Sequence, residues 1–427
     1  MTSLNQACSV NEHSNGSKSK NKTICLPINQ DDYEDIVLDT VKYRAYIDRM
    51  IKDHPELFPA SIHKGYTLKD CRLPQKLLVL IRRIEIPGEG SFSIRPSFVM
   101  PSMTGFTSEV EKGLFLRKFN VPFWALAHVF GRDPMYWYRL ECALGRNSIV
   151  GTTVKSPDKL PKDLLADEKH TTIKGEKVYI ATTVGKECIL GAAVAQKADT
   201  GELSKAYLVF KEEALDVDPN YQPKTVNVDG WQATSQAWSK LFPGIAIILC
   251  FLHAFLKIRD RAKKKFAEVF TKISDKVWEA YKAPTKRTFS QRIRRLKEWA
   301  TQQLDENIVK EQVLKLCSRK KEFLLAYDHP HAHRTSNMLD RLMKFMDQHL
   351  FDTQYFHGSA ESAQLQIRSW ALLWNFCPSS PETIKKHGGK ISPAERLNGF
   401  RYHDNWLPNL LVSASMGGFR SKPQNPL

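Results

Sequence analysis

Three aspartates in this sequence lie where they could support metal-dependent chemistry on phosphates. Asp167 lies in the run LLADEKH, Asp229 ends the apolar run TVNVD, and Asp340 lies in RTSNMLD. Carboxylates are protein ligands that Mg²⁺ prefers, and two divalent ions about 4 Å apart can activate the attacking and leaving oxygens of a phosphodiester. The trio therefore predicts phosphodiester cleavage or transfer, with two Mg²⁺ (or Mn²⁺) ions held by Asp167, Asp229 and Asp340.

Each of the three aspartates also has a simpler interpretation. Asp167 could be a solvated carboxylate beside Glu168, and Asp229 could be a turn residue or the N-cap of the helix pattern that follows it. Asp340 lies one turn into a helix pattern, where a carboxylate can cap the helix N-terminus. Asp229 is the strongest candidate, because an acid that closes a buried strand occupies a position typical of ligand sites. The prediction rests on the three together.

The segments around these aspartates predict the elements that would hold them. The runs LLADEKHTTI, KVYIATTVG and ECILGAAVA predict three adjacent antiparallel strands, and we expect Asp167 and Asp229 to lie at strand ends. A helix, the buried strand before Asp229, a second helix and the apolar strand IAIILC are predicted to follow. Three strands, then helix, strand, helix, strand, is the order of an α/β ribonuclease-H-like core with a mixed sheet. The polar triplet TSN then opens the helix that carries Asp340.

Two further groups of potential ligands lie near the predicted site. Cys250 and His253 form a C-x-x-H pattern directly after the last predicted strand. Zinc needs about four ligands and no second pair is near in sequence, so two buried residues at a strand-to-helix junction are the favoured interpretation. The alternating histidines of DHPHAHR (residues 328–334) could bind a metal or phosphates, or form a solvated loop.

A helical segment upstream of the strands has a pattern typical of DNA-binding units. Ser108 and Glu111 fit a capping box at the start of one helix, and VPFWALAHVFG predicts a second helix that ends at Gly131. Asp133 predicts the start of a third helix, which closes at Gly145. Three short helices with a tight turn before the last fit a helix-turn-helix, although a plain three-helix packing unit would show the same pattern. In a helix-turn-helix, the residues at or near the DNA groove would be Met135, Tyr136, Tyr138 and Arg139.

The charge of the chain favours a polyanionic partner. Lys and Arg total 63 against 46 Asp and Glu, which gives a net charge of +17. Residues 254–300 hold 15 Lys and Arg but only 5 Asp and Glu, in a helical pattern. This basic helical insertion could be a solvated face, but its cations alternate with aromatic residues, a combination that suits DNA binding. The predicted contacts are Lys263, Lys264, Lys265, Arg292, Arg294 and Arg295.

The predicted organisation has seven parts. They are a disordered tail (1–31), an N-terminal α/β region of unknown role (32–105), a helix-turn-helix-like region (106–150), the first part of the ribonuclease-H-like core (155–253), the basic helical insertion (254–328), the end of the catalytic core (329–380) and a C-terminal tail (381–427). The eight Cys residues are scattered without a C-x-x-C pair, and no apolar run approaches the roughly 20 residues of a membrane span. Since the N-terminus also lacks a secretion signal, we expect a cytoplasmic protein that does not contact membranes.

With these residues in place, the region from about 160 to 380 resembles the Mutator-like superfamily of DDE transposases, including its bacterial insertion-sequence members. Those proteins have a strand ending in Asp, then C-x-x-H, then a T-N-x-x-E helix after an all-α insertion. Here Asp229, the C-x-x-H pair and the run TSNMLD stand in the same order. The family's third acid is normally Glu, whereas Asp340 is one methylene shorter. Glu361 is therefore a rival third acid, although the T-S-N frame and the spacing favour Asp340. The context of Asp167 matches no motif of the family.

The resemblance implies a DDE-type transposase that binds the terminal inverted repeats of an insertion sequence, cleaves the element ends and joins the 3′-hydroxyls to target DNA. It also implies double-stranded DNA as the partner, a homo-oligomer on paired ends, and a prokaryotic, nucleoid-associated location. Two alternatives remain open. One is a ribonuclease-H-like nuclease or resolvase that only hydrolyses, and the other is a non-catalytic DNA-binding protein derived from a transposase.

Overall fold

The structure is a computed structural model that describes residues 21–262 and 267–419. It is a mixed α/β protein with two mixed sheets and many helices. The first sheet has the order β1-β4-β3-β2, with β1 (Thr23–Leu26), β2 (Thr67–Arg72), β3 (Ile81–Ile86) and β4 (Gly90–Pro96). Strand β1 is parallel to β4, and the other pairs are antiparallel. Helices α1 (Gln30–Leu38) and α2 (Thr40–Asp53) follow β1, and the Asp39 side chain caps α2.

The predicted disordered tail at residues 1–31 is wrong from Thr23 onward. The run TICL forms β1, and Ile24, Cys25 and Leu26 are buried. Four residues are too few to show a period after a polar stretch, and the partner of Thr23 in the sheet is Ser93, far away in sequence. The first 20 residues of the prediction lie outside the described residues.

Three helices follow the first sheet at the predicted places. They are α3 (Thr107–Arg117), α4 (Phe123–Phe130) and α5 (Pro134–Leu144). Gly131 ends α4 with a φ of 71°, a left-handed conformation that glycine adopts without a steric cost. The Asp133 carboxylate accepts from the backbone N–H of Met135, and Gly145 ends α5. The predicted start and end of α5 are therefore confirmed.

The predicted capping box at Ser108 and Glu111 is wrong. Helix α3 begins at Thr107, and its N-cap is Phe106, whose side chain cannot accept a hydrogen bond. The backbone N–H of Thr107 instead donates to the carbonyl oxygen of Phe98 at 2.8 Å. This long-range bond satisfies one of the free N–H groups at the helix start, so no local cap is needed there.

The second sheet has the order β7-β6-β5-β8-β9. Its strands are β5 (Asp163–Ile173), β6 (Glu176–Gly185), β7 (Cys188–Ala195), β8 (Thr225–Val228) and β9 (Ala246–Leu249). The first three are antiparallel neighbours, as predicted, whereas β5, β8 and β9 are parallel. Helix α6 (Ile149–Thr153) precedes the sheet, α7 (Thr200–Val217) links β7 to β8, and α8 (Gln232–Leu241) links β8 to β9.

An all-helical segment follows β9, as predicted. Its helices are α9 (Phe251–Ala262), α10 (Ala267–Tyr281), α11 (Lys286–Gln303), α12 (Ile308–Ser318) and α13 (Lys320–Asp328). Ile273, Val277 and Phe289 are fully buried, and they belong to the same hydrophobic core as α7, α8 and one face of the second sheet. The insertion is therefore packed onto the sheet domain through apolar side chains.

Two long helices cover the other face of the second sheet. Helix α14 (Asn337–Asp352) packs on β5, and α15 (Ala360–Phe376) packs on β7. Inside α15, the buried Arg368 donates to the Glu213 carboxylate of α7 at 2.5 Å and to the carbonyl oxygens of Gly145 and Asn147. This buried ion pair joins α15 to α7 and to the end of α5, so the helical unit and the sheet domain share a polar junction.

The predicted C-terminal tail at 381–427 is wrong up to residue 419. Helices α16 (Pro381–Lys386), α17 (Pro393–Asn398) and α18 (Trp406–Ser413) follow α15. Trp406, Leu407 and Leu410 are buried in the core of the N-terminal sheet. The buried Ser415 hydroxyl accepts from the backbone N–H of Cys25 at 3.1 Å and donates to the carbonyl oxygen of Leu57 at 2.7 Å. The Pro, Gly and Ser residues that suggested a tail instead form short turns between buried helices.

None of the helices in the described ranges combines the length and the apolar character that a membrane crossing requires.

Candidate active site

The sheet register brings Asp167 beside Asp229. Leu165 of β5 pairs with Asn227 of β8, and each aspartate lies two residues further along its parallel strand. Asp167 is inside β5, opposite Thr182 of β6, so its predicted position at a strand end is wrong. The parallel partner β8 nevertheless ends at Val228, so Asp167 lies just beyond the carboxyl end of that pairing. Clefts at this edge of parallel strands are common ligand sites.

Asp229 follows β8 directly and also shapes the turn into α8. Its Oδ1 accepts from the backbone N–H of Trp231 at 2.8 Å, while the N-cap residue of α8 is Trp231 itself. Gly230 has a φ of 93°, and a Cβ at this position would lie 2.6 Å from Nη1 of Arg319. The turn role suggested from the sequence is therefore present, and the second carboxylate oxygen remains for other contacts.

Asp340 reaches the same region from the first turn of α14. The Ser336 hydroxyl donates to Oδ1 of Asp340 at 2.9 Å, and Nε2 of His253 lies 3.9 Å from the same oxygen. The side chains of Asp340 and His253 are 31% and 25% exposed, so both can meet a ligand from solvent. Asp167, Asp229 and Asp340 are called the acidic cluster below.

The charges of Asp229 and Asp340 act on Asp167. The pKa of Asp167 is raised to about 6, chiefly by burial and then by the negative charges of Asp229 and Asp340, against the lowering effects of the Glu168 N–H and of His253. A raised pKa of this origin is common where carboxylates are gathered for catalysis or for cation binding. The three aspartates, which are far apart in sequence, therefore form one electrostatic unit.

The C-x-x-H residues adjoin this unit through Ser336. The Ser336 hydroxyl lies 3.2 Å from Sγ of Cys250 and 3.2 Å from Nδ1 of His253. The hydrogen bond with Cys250 is the main cause that raises the pKa of His253 to about 9, and Asp340 and Asp167 add to it. Burial would raise the pKa of the Cys250 thiol, but hydrogen bonds from His253 and Ser336 outweigh that effect and lower it. Cys250 is buried, as the sequence suggested, whereas His253 faces the acidic cluster.

Glu168 is a fourth acid that the sequence did not single out. Its Oε1 accepts from the Tyr207 hydroxyl at 2.6 Å and from the Thr234 hydroxyl at 2.8 Å. The pKa of Glu168 is raised to about 7, chiefly by burial, although these two hydrogen bonds act in the opposite direction. Its hydrogen-bonding partners come from α7 and α8, at sequence distances where no local pattern could reveal them.

Glu361, the rival third acid, lies away from the acidic cluster. It is exposed in the first turn of α15, and the Ser359 hydroxyl lowers the pKa of its carboxyl group. The acids that raise the pKa of Asp167 within the described residues are Asp229 and Asp340. Of the two candidates for the third acid, the structure brings only Asp340 to the other two.

The basic residues predicted in the insertion have different surroundings. Lys263, Lys264 and Lys265 lie outside the described residues. Arg292 donates to the carbonyl oxygen of Glu279 at 2.5 Å, Arg294 lies 3.6 Å from Glu298, and Arg295 is exposed. The interleaved aromatic residues belong to the core. Phe289 is fully buried in it, and Trp278 and Trp299 are partly buried side chains that pack against the core. The expected aromatic support for DNA is therefore wrong for Phe289.

Two of the predicted DNA-contacting residues of α5 make contacts within the protein, and two are exposed. Tyr136 donates to the carbonyl oxygen of Thr104 at 3.1 Å, and Tyr138 packs edge-on against Phe123. Arg139 is exposed, and Met135 is 48% exposed. Trp124, which a plain packing unit would bury, is 68% exposed on α4. The unit therefore presents both a cation and apolar side chains to solvent.

The histidine run at 328–334 is held at both ends. Lys286 bonds to Asp328, and Arg334 lies between the rings of Tyr281 and Tyr327, 4.7 Å from each centroid. The carbonyl oxygen of His333 accepts from the Asn227 side chain at 2.9 Å. The run is a loop between α13 and α14, and the bond from Asn227 attaches this loop to β8.

The donor chemistry of the acidic cluster suits Mg²⁺ or Mn²⁺. Within residues 21–262 and 267–419, no group of three or more His, Cys, Asp or Glu side chains is arranged so that it could hold a metal ion. Mg²⁺ usually takes only one or two carboxylates from the protein and fills its other positions with water and substrate oxygens. The carboxylates therefore fit the ion in kind and in charge, without forming a closed cage. No family model matches the sequence, and no curated protein matches it either.

Proposed function

We propose that this chain is a DDE-type DNA transposase that cleaves the ends of an insertion sequence and joins the 3′-hydroxyls to target DNA. The observation that carries the proposal is the placement of Asp167 beside Asp229 at one edge of the second sheet, where the charges of Asp229 and Asp340 raise the pKa of Asp167. Carboxylates gathered in this way repel one another, and such an arrangement is retained where cations or phosphoryl chemistry require it.

The topology supports the same proposal. The second sheet has three antiparallel strands followed by two parallel ones, and this order supports a ribonuclease-H-like core as part of the proposal. The all-helical insertion lies between the strand that leads to the C-x-x-H pair and the helix that carries Asp340. This arrangement follows the order of elements in the Mutator-like transposases that the sequence resembles.

In the proposed mechanism, Asp167, Asp229 and Asp340 would hold two divalent ions, Mg²⁺ or Mn²⁺. Bound ions of this kind activate the attacking water or 3′-hydroxyl and stabilise the leaving oxygen. Ser336 orients the Asp340 carboxylate by its hydrogen bond. His253 carries its proton at neutral pH, and its Nε2 faces Asp340, where it can donate to a phosphate oxygen of the substrate. Glu168 links β5 to helices α7 and α8 through its hydrogen bonds with Tyr207 and Thr234.

The substrates in this proposal are the terminal inverted repeats of the element and the target DNA. The three-helix unit α3–α5 would bind the repeats, with Arg139 at the DNA surface. A homo-oligomer on paired ends and a location at the nucleoid of a prokaryotic cell belong to the same proposal. The net charge of +17 favours the polyanionic partner that all of these steps need.

The test uses labelled DNA duplexes taken from the sequence that flanks the coding region in the source genome. Wild-type protein with Mg²⁺ or Mn²⁺ is expected to nick the element end and to join its 3′-hydroxyl to a supercoiled plasmid. Asp229→Asn should abolish both products, whereas Glu361→Gln, a matched loss of one carboxylate, should retain them.

Each alternative function has its own outcome in this assay. Nicking that depends on Asp229 but gives no joined product with either ion would replace the proposal with a hydrolytic nuclease or resolvase. DNA binding without any cleavage, unchanged in Asp229→Asn, would support a non-catalytic DNA-binding protein derived from a transposase.

A further inference from the structure

A continuous groove runs from the acidic cluster along the insertion. Three adjoining cavities form it, with volumes of about 680, 100 and 490 Å³. The first two share Lys257, Gln312 and Lys315, and the last two share Gly230, Leu249 and Arg319. Asp229 lines the middle cavity. We call this depression the α9–α12 groove, because helices α9 and α12 supply most of its basic wall.

The groove is lined by one stripe of each helix. On α9 the lining residues are Ala254, Lys257, Asp260 and Arg261, and on α12 they are Ile308, Gln312 and Lys315, followed by Arg319 at the helix end. Residues four apart lie on the same helix face and about 6 Å apart along the axis. The α9 side of the groove therefore leads from Cys250, in the cavity that Asp229 lines, to the cations Lys257 and Arg261 further out.

The cations of the groove are available for a ligand. Lys257 and Lys315 are exposed, and among the described residues no acidic side chain pairs with either. Arg319 is held by Glu322 and lies 3.5 Å from the carbonyl oxygen of Gly230, so its guanidinium is fixed beside Asp229. Asp260, the acid that lines the 680 Å³ cavity, pairs with Arg259. Aligned cations around a cavity are a poor arrangement for a protein alone, since like charges repel unless an anion lies between them.

We propose that the α9–α12 groove binds the phosphodiester backbone of a single DNA strand and leads it to Asp229. The inference rests on the proposed function and deepens it, because it names the path of the strand that the acidic cluster would cut. The cavity that Asp229 lines has a volume of only about 100 Å³, which is too small to take in a duplex, so the strand that reaches Asp229 must enter it singly. Lys257 and Lys315 contact successive phosphates, and Arg319 holds the phosphate next to the scissile one. Because the contacts are to phosphates, the groove binds strands of any sequence.

The test measures binding of a fluorescent single-stranded DNA oligonucleotide by anisotropy, without divalent ions, at several salt concentrations. Each phosphate contact on a single strand contributes about 0.7 to the slope of log K against log salt. The double variant Lys257→Ala/Lys315→Ala should therefore lower that slope by about 1.4 and weaken binding at low salt by at least about tenfold. The matched control is Lys385→Ala/Lys386→Ala, two exposed lysines of α16, and it should bind as wild type does. Thermal melting should give the same midpoint for both double variants.

The outcomes separate the groove from the proposed function. If the two double variants bind the strand with equal affinity and equal slope, the groove inference is overturned, even if wild-type protein cuts and joins DNA. If Lys257→Ala/Lys315→Ala alone loses binding, the groove inference stands, even if wild-type protein shows no cleavage with any metal. Duplex DNA that binds through these lysines as tightly as the single strand would overturn the assignment to one strand.

Discussion

The hydroxyl of Ser336 donates a 2.9 Å hydrogen bond to Oδ1 of Asp340. The same hydroxyl lies 3.2 Å from Nδ1 of His253 and 3.2 Å from Sγ of Cys250. Ser336 is buried and immediately precedes α14, so its position is fixed by the helix start. The C-x-x-H pair is thus linked to the Asp340 carboxylate through the hydroxyl of Ser336.

Ser336→Ala should impair catalysis more than it impairs folding. Removing the hydroxyl leaves Cys250, His253 and Asp340 without a shared partner, and loss of such a supporting contact typically costs about 10- to 100-fold in activity. We expect the free energy of unfolding to fall by about 1–2 kcal/mol, the scale of one buried hydrogen-bonding group. The measurements are DNA nicking rates and urea denaturation.

Ser380→Ala is the control for that serine. Ser380 caps the exposed helix α16 with its hydroxyl, far from the acidic cluster in the fold. It should lose some stability and keep full activity. Equal activity losses in the two variants would contradict a specific role of Ser336.

Asp340, and not Glu361, is expected to be the third acid. Asp340→Asn should lower the rate of DNA cleavage by about 100-fold or more, the scale for one group that stabilises charge in a transition state. Glu361→Gln should change it by less than about twofold, because Glu361 is exposed and its partner is Ser359. The same nicking assay measures both. A larger effect at Glu361 would mean that α15 moves toward the acidic cluster when DNA binds.

Asp167→Asn should stabilise the protein at high pH. The folded-state pKa of about 6 lies above the ordinary value of 3.8, so the carboxyl group favours the folded state while protonated and loses that contribution as pH rises through about 6. Above pH 7, in EDTA, the variant should unfold with a free energy higher than that of wild type by about 1–3 kcal/mol. At pH 4 the difference should be close to zero. Urea denaturation across this pH range measures it.

Asp158→Asn is a control of opposite sign. Hydrogen bonds with Ser156 and Lys159 lower the pKa of this exposed carboxyl group, so its stabilising contribution is present above the ordinary pKa and is lost as pH falls. The variant should therefore gain no stability at high pH.

Adding Mg²⁺ should raise the melting temperature of wild type more than that of Asp167→Asn, because an ion that binds only the folded protein stabilises it. Equal shifts in the two proteins would count against Asp167 as a ligand.

Cys250→Ala should lower the pKa of His253. The hydrogen bond with Cys250 is the largest cause of the rise to about 9, and without it the imidazole retains only the smaller effects of Asp340 and Asp167. NMR titration of the His253 ring proton should show the pKa falling toward the ordinary 6.5. The wild-type protein should lose stability between pH 7 and 9, as this proton is lost, and the variant should lose less. A His253 pKa that stays near 9 would mean that the carboxylates dominate.

Arg139→Ala should weaken binding of duplex DNA that carries the end sequence by about 1–2 kcal/mol, since Arg139 is the exposed cation of α5 in the proposed helix-turn-helix. Arg72→Ala, an exposed arginine at the edge of the first sheet, is the charge-matched control. Anisotropy of labelled duplexes measures both affinities. Equal losses would indicate that the three-helix unit only packs.

Local signals in the sequence predicted much of the fold. Asp133 and Gly145 mark the ends of α5 because capping chemistry acts within a few residues. The period of the apolar residues predicted β5, β6 and β7 and the order of the elements that follow. Asp229 was found because it closes a buried strand, a feature that is visible without any tertiary information.

The rest depends on contacts between distant residues. Glu168 acquires its partners, Tyr207 and Thr234, from two helices that pack on the same sheet face. Helix α18 was missed because its flanking Gly, Ser and Pro residues suggested a tail, and only the tertiary fold buries Trp406. The cations Lys257 and Arg261 of α9 could not be assigned to a groove from the sequence, because only the fold shows which face of α9 lies beside α12.

The contacts of Ser415 have a consequence for the order in which the protein is made. This hydroxyl bonds to the backbone at Cys25 and Leu57, and the same core contains residues from 24 to 144 and from 372 to 416. The first sheet, although synthesised early, therefore cannot complete its interior until residue 416 has left the ribosome. The second sheet and the insertion have core residues mainly between 149 and 371, so they can fold earlier. The nascent chain would thus acquire its proposed catalytic region before the unit proposed to bind the element ends is finished.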